Sequence, residues 1–338
     1  MIEIRVNGRR FSGWTGVRVS RTIERLSGAF ELSMTSRDPV DVPIAAGDLC
    51  QILIDGQQLL AGAVDDRVVR YDAGEHTVAI AGRDATADLV DCSAETRQFR
   101  NLGLDAIARE ICKPFSIQVL VDADVGKPFA SVQPEPGQTC HEFLATLAAH
   151  RGVLLAADDL GNLRITRPGR TRSPGTIEFG GNVLACNTSI SMRDRFSEYT
   201  ALHQGVQSDA FNGTVATQAS GRAKDPVVPR PRPLTVLAED GQDLAARAAN
   251  ERNVRAGRGE RTTYTVSGWH AAADALWQPN TIVAVTDPHQ HPPLHRVDRL
   301  IASVTYLFDE DGTRTDLDVM PPGAFDLLAV PEPAGVAW

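Results

Sequence analysis

The sequence predicts a mainly β protein of the α+β class, with two small β-barrel modules, an α/β domain inserted between them and a long excursion within the second. Two observations carry this. What reads as one β-module occurs twice, once near each end, and helical periodicity is confined to segments lying between the two copies. In the first copy, Leu49 to Ile54 meets an Asp55-Gly56 turn, and Leu59 to Tyr71 and His76 to Ile80 hinge at Asp72-Ala73-Gly74. In the second, Thr281 to Thr286 enters a Pro/His-rich loop, and Leu294 to Phe308 and Thr313 to Val319 hinge at Asp309-Glu310-Asp311-Gly312. Asp-Gly between alternating apolar runs is a strong hairpin signal, because the turn needs positive φ, where glycine meets no steric penalty. A duplicated module lets n subunits imitate a 2n-fold symmetric partner, which points to a ring. The competing reading is that two unrelated β-meanders look alike at this level.

Each element follows from local pattern. Before the first module, strands are expected over Ile2 to Val6, Arg10 to Trp14, Val17 to Ile23 and Ala29 to Thr35; Val17, Val19, Arg21 and Ile23 interleave with polar positions, as in a half-buried antiparallel sheet. Asn101 to Cys112 reads as a helix with Leu104, Ile107, Ala108 and Ile111 on one face, stopped by Pro114. Thr139 and Glu142 form a capping-box pattern ahead of the stripe Phe143, Leu144, Leu147 and Ala148, with Gly152 at the C-terminal end. Val153 to Ala157 and Leu163 to Thr166 follow as a hairpin around Asp158-Asp159-Leu160-Gly161-Asn162. Strands resume at Thr176 to Phe179, Asn187 to Arg193 and Phe196 to Gly205, and the polar stretch Ser208 to Pro233 reads as a long loop. Asp243 to Ala256 is helical, with Leu244, Ala248 and Val254 on the packing side, and Thr262 to Trp269 leads back to the repeated module. The expected domains are 1–88 (first barrel), 89–172 (inserted α/β domain), 173–205 with 258–322 (second barrel), 206–257 (excursion) and 323–338 (tail).

Composition narrows the function classes. With 338 residues and 42% apolar content the chain can build real cores. A net charge of -9 argues against a general nucleic-acid or anionic-membrane surface, which needs clustered Lys and Arg. The one dense basic stretch, Arg164 to Arg172 with Arg167 and Arg170, reads as a solvated loop. No run of 18 uncharged apolar residues and no apolar signal core occur, so neither a membrane anchor nor a classical export signal is expected. Cys50, Cys92, Cys112, Cys140 and Cys186 are scattered singly and read as free thiols.

Candidate chemistry is sparse. His289-Gln290-His291 with His295 offers imidazoles, but Pro288, Pro292 and Pro293 make the segment an irregular loop, and no metal or cofactor is expected. The carboxylate pairs Asp65-Asp66 and Asp158-Asp159 are adjacent in sequence, whereas acid/base work needs carboxyls converging from separate segments. Cys140 beside His141 lies in a first helical turn, where a thiol gains thiolate character, although capping already explains the segment. Trp269 and Trp277 read as core, and Arg247 as a solvated helix residue or an intersubunit ion-pair partner. No G-x-S-x-G elbow or P-loop is present, so no catalytic residue is assigned.

Several segments together resemble a known family. Pro136-Gly137-Gln138-Thr139 through the helix to Gly152-Val153-Leu154-Leu155, and then Asp158-Asp159-Leu160-Gly161-Asn162-Leu163, is similar to the helix-hairpin unit of the baseplate hub proteins of Mu-type contractile phages. Arg195-Phe196-Ser197-Glu198-Tyr199 leading to Gln204-Gly205, the helix carrying Arg247-Ala248, and Val266-Ser267-Gly268-Trp269 before Leu276-Trp277-Gln278-Pro279-Asn280 follow in the same order. The resemblance runs from the first strand to about Pro322.

It implies a non-enzymatic virion protein with two tail-tube-like barrels per chain. Three chains would form a pseudo-sixfold ring joining the tail tube to a central spike and aligning a genome passage, with assembly in the host cytoplasm. Implied partners are two further copies, the spike, the tube protein and neighbouring baseplate proteins; DNA passes through without stable binding. The chain ends without a fused spike β-helix, so the spike is expected to be separate. Alternatives are a virion-borne or secreted cell-wall hydrolase and the hub of a non-phage contractile injection machine. The tail residues Phe325, Leu327, Leu328, Val330 and Trp338 are more apolar than a solvated terminus needs, and are expected either to dock on a partner or to pack on their own subunit.

Overall fold

The computed structural model describes residues 2–37, 42–169, 171–203, 220–239 and 242–332. β1 (Ile2–Val6) and β2 (Arg9–Phe11) form a hairpin through Asn7 and Gly8, both at positive φ. Trp14, expected to end the second strand, lies beyond it, buried and donating its indole N–H to Phe11 O at 3.3 Å. β3 (Gly16–Thr22) and β4 (Ala29–Ser36) pair antiparallel, with Val17, Val19 and Arg21 turned inward as the alternation predicts. β5 (Leu49–Ile54), β6 (Gln57–Tyr71) and β7 (His76–Asp84) form an antiparallel meander. Its first turn holds Asp55 at φ 50° and Gly56 at φ 83°, the double positive φ that a type I′ two-residue hairpin turn requires.

α1 (Ala87–Asp91) leads to β8 (Phe99–Leu102), so Asn101 and Leu102, expected to open a helix, extend a strand. Pairing with β10 (Phe129–Val132) overrides local helical periodicity there, and α2 (Leu104–Cys112) starts after Gly103. β9 (Val119–Val121) lies parallel to β12 (Leu163–Thr166), which pairs with β11 (Leu154–Ala157). Between them runs α3 (Cys140–Arg151), with the expected capping box: Glu142 N donates to Thr139 Oγ1 (3.1 Å), and Thr139 N to the Glu142 carboxylate (2.9 Å). Phe99, Ile107, Phe143, Leu147 and Ile165 form a core of their own around these elements.

β13 (Thr171–Glu178) and β14 (Val183–Ile190) both begin earlier than their sequence suggests, because their partners' registers decide the boundaries. β15 (Glu198–His203) is flanked by β16 (Ser220–Lys224) and β17 (Pro233–Ala238). The stretch read as a loop from Ser208 to Pro233 therefore contains a strand, a polar edge with no apolar alternation to reveal it; residues 204–219 lie outside the described residues. α4 (Leu244–Arg258) is capped by Asp243, which accepts from Ala246 N at 3.0 Å, and packs Ala248 on Tyr199 and Ala201. It runs two residues past Ala256, and within that last turn Gly257 lets the chain at Ala324 approach: a Cβ there would lie 2.3 Å from Ala324 N. β18 (Glu260–Ser267), the short pair β19 (His270–Ala272) and β20 (Ala275–Leu276), and the meander β21 (Thr281–Asp287), β22 (Leu294–Asp309) and β23 (Gly312–Met320) complete the chain.

The two meanders share order and direction, and they share a defect. Asp65 in β6 and Ala302 in β22 are the extra residues of β-bulges, each eight residues after its strand's first residue. The hydrogen bonding does not, however, separate two barrels. One 13-stranded sheet runs β14-β18-β23-β22-β3-β4-β7-β6-β5-β1-β2, with β21 set between β13 and β22. β22 pairs antiparallel with β3, Tyr306 opposite Val19, and among the described residues neither half closes on itself by strand pairing. Each of those strands would otherwise present a bare edge, and joining them removes both. A single core accordingly contains Ile4, Leu32 and Ile80 from one half with Tyr264, Val285 and Leu317 from the other.

Candidate partner-binding surfaces

The residues weighed for chemistry have structural roles. Asp65, the bulge residue, pairs with Arg83 at 2.9 Å, and Asp158 is buried as an acceptor for Leu160 N (2.9 Å) and Asn162 N (2.8 Å), closing the β11–β12 turn. Burial pushes the Cys140 thiol pKa above its ordinary value, the opposite of what an activated thiolate needs, and burial likewise lowers that of His141. His289 packs edge-on against Phe179, and its backbone N–H joins Tyr264 OH and Gln290 Nε2 as donors to the Asp287 carboxylate, each at 2.9 Å. Among the described residues no three His, Cys, Asp or Glu side chains gather as a metal-binding group. Trp269 and Trp277 are buried, and Trp269 donates to Leu307 O at 2.9 Å. Arg247 pairs within its own helix with Glu251 at 2.8 Å. In the basic stretch, Arg164 pairs with Asp122 and Arg172 with Asp298. No helix among the described residues is long and apolar enough to cross a membrane.

The C-terminal tail is strapped across its own chain. Phe325 is 8% exposed and packs with Ile23, Leu300 and Met320. Asn253 Nδ2 donates to the Asp326 carboxylate at 2.8 Å, Val330 N to Ala149 O at 3.0 Å, and Arg151 pairs with Glu332 at 2.8 Å. At φ 59°, Gly152 lets Ala329 pass 3.1 Å from where a Cβ would stand. Of the expected tail contacts, Phe325 and Val330 are thus engaged in-chain, Leu328 is half-buried and Leu327 is 41% exposed; Trp338 lies outside the described residues.

A surface that sequence inspection did not single out lies where strands lack a neighbour on one side, the outer half of β6 beyond β5 and the terminal strand β14. From Asp65 to Tyr71 every residue of β6 is exposed, including Val68, Val69 and Tyr71, the last at 79%. β14 likewise exposes Leu184 and Ile190, the latter at 51%. The unbroken run Val68-Val69 next to Tyr71 was the available signal.

Beside the internal duplication stand likenesses to known proteins. Three family models match: Mu phage baseplate assembly protein GpP-like, N-terminal, over residues 1–84; baseplate hub protein gp44-like, second domain, over 86–167; and Mu phage baseplate assembly protein GpP, fourth domain, over 241–328. The last reaches beyond Pro322, so the resemblance includes part of the tail. Baseplate hub protein gp44 of Escherichia phage Mu is 31% identical, covering 96% of this chain and 88% of that protein. The 43 kDa tail protein of prophage MuSo2 from Shewanella oneidensis superposes with a TM-score of 0.85 at 37% identity, covering 97% of this chain and 99% of that one. The Escherichia coli c3393 protein, a type VI secretion system component, shares the fold alone, with a TM-score of 0.61 at 12% identity over 98% of this chain and 80% of that one. Identity and fold thus agree along nearly the whole length, and the chain belongs to the baseplate hub protein family of Mu-like phage tails.

Proposed function

We propose that this protein is the central hub of a contractile-tail baseplate, a structural virion component that assembles as a homotrimer in the host cytoplasm. The observation that carries this is the tandem meander, alike in order, direction and bulge position, which gives one chain two quasi-equivalent faces. Three copies would offer a pseudo-sixfold ring to a sixfold tube on one side and a threefold spike on the other. In this reading residues 1–88 and 173–205 with 258–322 are tube-like units, 89–172 an inserted α/β domain, 206–257 an excursion and 323–338 a tail. Leu327 is the described tail residue most open to the spike or a neighbouring subunit. A net charge of -9 disfavours adhesion of DNA passing through the ring.

The mass in solution, with and without the spike, tests the proposal. A trimer burying at least about 1,200 to 2,000 Å² per subunit pair is expected. A chain that stays monomeric across micromolar concentrations with spike present, or an even-numbered assembly, speaks against it. A second reading, hub of a contractile injection machine without a genome, is favoured by the whole-chain fold likeness to the type VI component. Purified particles that package no DNA would select it.

A further inference from the structure

The duplication extends beyond the meanders, and it identifies a contact with one side missing. β4 flanks β7 as β18 flanks β23, and β3 flanks β4 as β14 flanks β18. The registers agree residue by residue. Val17 pairs with Leu32, Leu32 with Ile80 and Ile80 with Arg67; in the second half Cys186 pairs with Tyr264, Tyr264 with Leu317 and Leu317 with Val304. β3 is therefore the counterpart of β14, and β6 the counterpart of β22.

Within the chain, the outer half of β22 pairs with β3: Phe308 opposite Val17, Tyr306 opposite Val19 and Val304 opposite Arg21. That joint buries Val304, Tyr306 and Val19 completely. The counterpart joint would use the outer half of β6 and β14, yet among the described residues nothing pairs with Asp66–Tyr71 on the side away from β7, or with β14 on the side away from β18. Both segments are exposed for that reason, and both carry large apolar side chains. Bare edges of this kind are what native sheets cover.

We propose that Asp66–Tyr71 of one copy pairs antiparallel with β14 of a second copy, with Tyr71 opposite Cys186, Val69 opposite Thr188 and Arg67 opposite Ile190. The contact repeats between copies the β22–β3 joint inside each. The side chains agree: Tyr71 stands for Phe308 and Val69 for Tyr306, and the third pair keeps one arginine against one aliphatic residue with the strands exchanged. Each copy donates one β6 edge and one β14 edge, a heterologous contact that closes as a ring. The inference rests on the trimer reading and adds the edges and register by which the trimer forms.

Disulfide trapping tests it in the full-length chain, with the other exposed cysteine removed as Cys92→Ser. Tyr71→Cys is expected to cross-link to the native Cys186 under mild oxidation, giving covalent dimers and trimers that Cys186→Ser abolishes. Val69→Cys with Cys186 is displaced by two residues, about 7–8 Å away, and should cross-link at least about tenfold less. Arg70→Cys with Asn187→Cys, in a Cys186→Ser background, samples the neighbouring pair, of the other hydrogen-bonding class. Cross-linking at either on-register pair with little off register supports the proposal. A trimeric mass without on-register cross-links, or with stronger off-register ones, overturns this pairing and leaves the trimer standing. A persistent monomer that does not cross-link overturns both.

Discussion

At the scale of residues, the largest stake in one ion pair lies beneath α4. The Asp225 side chain is 4% exposed and accepts from Arg195 Nε at 2.5 Å and Nη2 at 3.1 Å, and the Arg232 guanidinium donates to Arg193 O (2.7 Å) and Arg195 O (2.9 Å). Removing one partner strands a buried charge, so Arg195→Ala should cost about 3–5 kcal/mol in denaturant unfolding. Burial alone would raise the Asp225 pKa, but hydrogen bonds from Arg195 and Val227 N outweigh it and hold the carboxyl below its ordinary value. A depressed folded-state pKa contributes stability that is complete above the unfolded value of about 3.9 and is lost as pH falls through the folded value. Asp225→Asn should therefore lose stability at neutral pH and flatten its acid dependence, read from melting temperatures between neutral and acid pH. Thiols divide in the same physical way. Burial pushes Cys50 and Cys112 up to about 12, so native alkylation near pH 8 should spare both and Cys140 while labelling the exposed Cys92. The resemblance located Arg195 through Tyr199 in the sequence, but not Asp225, which only folding brings to it from 30 residues away.

At the scale of elements, local chemistry was legible wherever a segment closes its own hydrogen bonds. The Thr139–Glu142 box and the Asp55-Gly56 turn each satisfy backbone groups within a few residues, so spacing alone reveals them. Thr139→Ala should cost about 1 kcal/mol by thermal unfolding. β8, β14 and β16 were misplaced or missed because their boundaries are decided by distant partners, β10, β18 and β15. The tail illustrates the same dependence. Its apolar residues were visible, but that Phe325 packs on Ile23, Leu300 and Met320 and Val330 bonds to α3 was not. Phe325→Ala should cost about 3–5 kcal/mol, and truncation after Pro322 should lower the melting temperature at least as much. If melting is unchanged, the strap carries no stability. If assembly with the spike falls further than the stability loss accounts for, the segment beyond Pro322 is a partner contact, and Leu327→Ala in the full chain would show whether Leu327 carries it.

At the scale of the whole molecule, the β22–β3 joint makes two modules into one sheet. Amides of β3 and β22 should therefore share one hydrogen-exchange protection free energy, and an isolated 1–84 fragment, with the β3 edge bare, should self-associate or melt well below the intact chain. Independent, undiminished folding of that fragment would show that the joint is dispensable. The sequence by itself determined the strand-rich class, the turns and the α3 cap, because alternation, positive-φ residues and caps act over a few residues; it left the duplication open against two meanders that merely look alike, and the shared registers and bulge positions came from the structure. Only the tertiary structure decided that the halves share a core, where the tail runs and which edges stay bare. Those outcomes depend on pairing between strands hundreds of residues apart, such as Val19 with Tyr306, and the local pattern of an edge strand is the same whether its partner is in the chain, in another copy or absent.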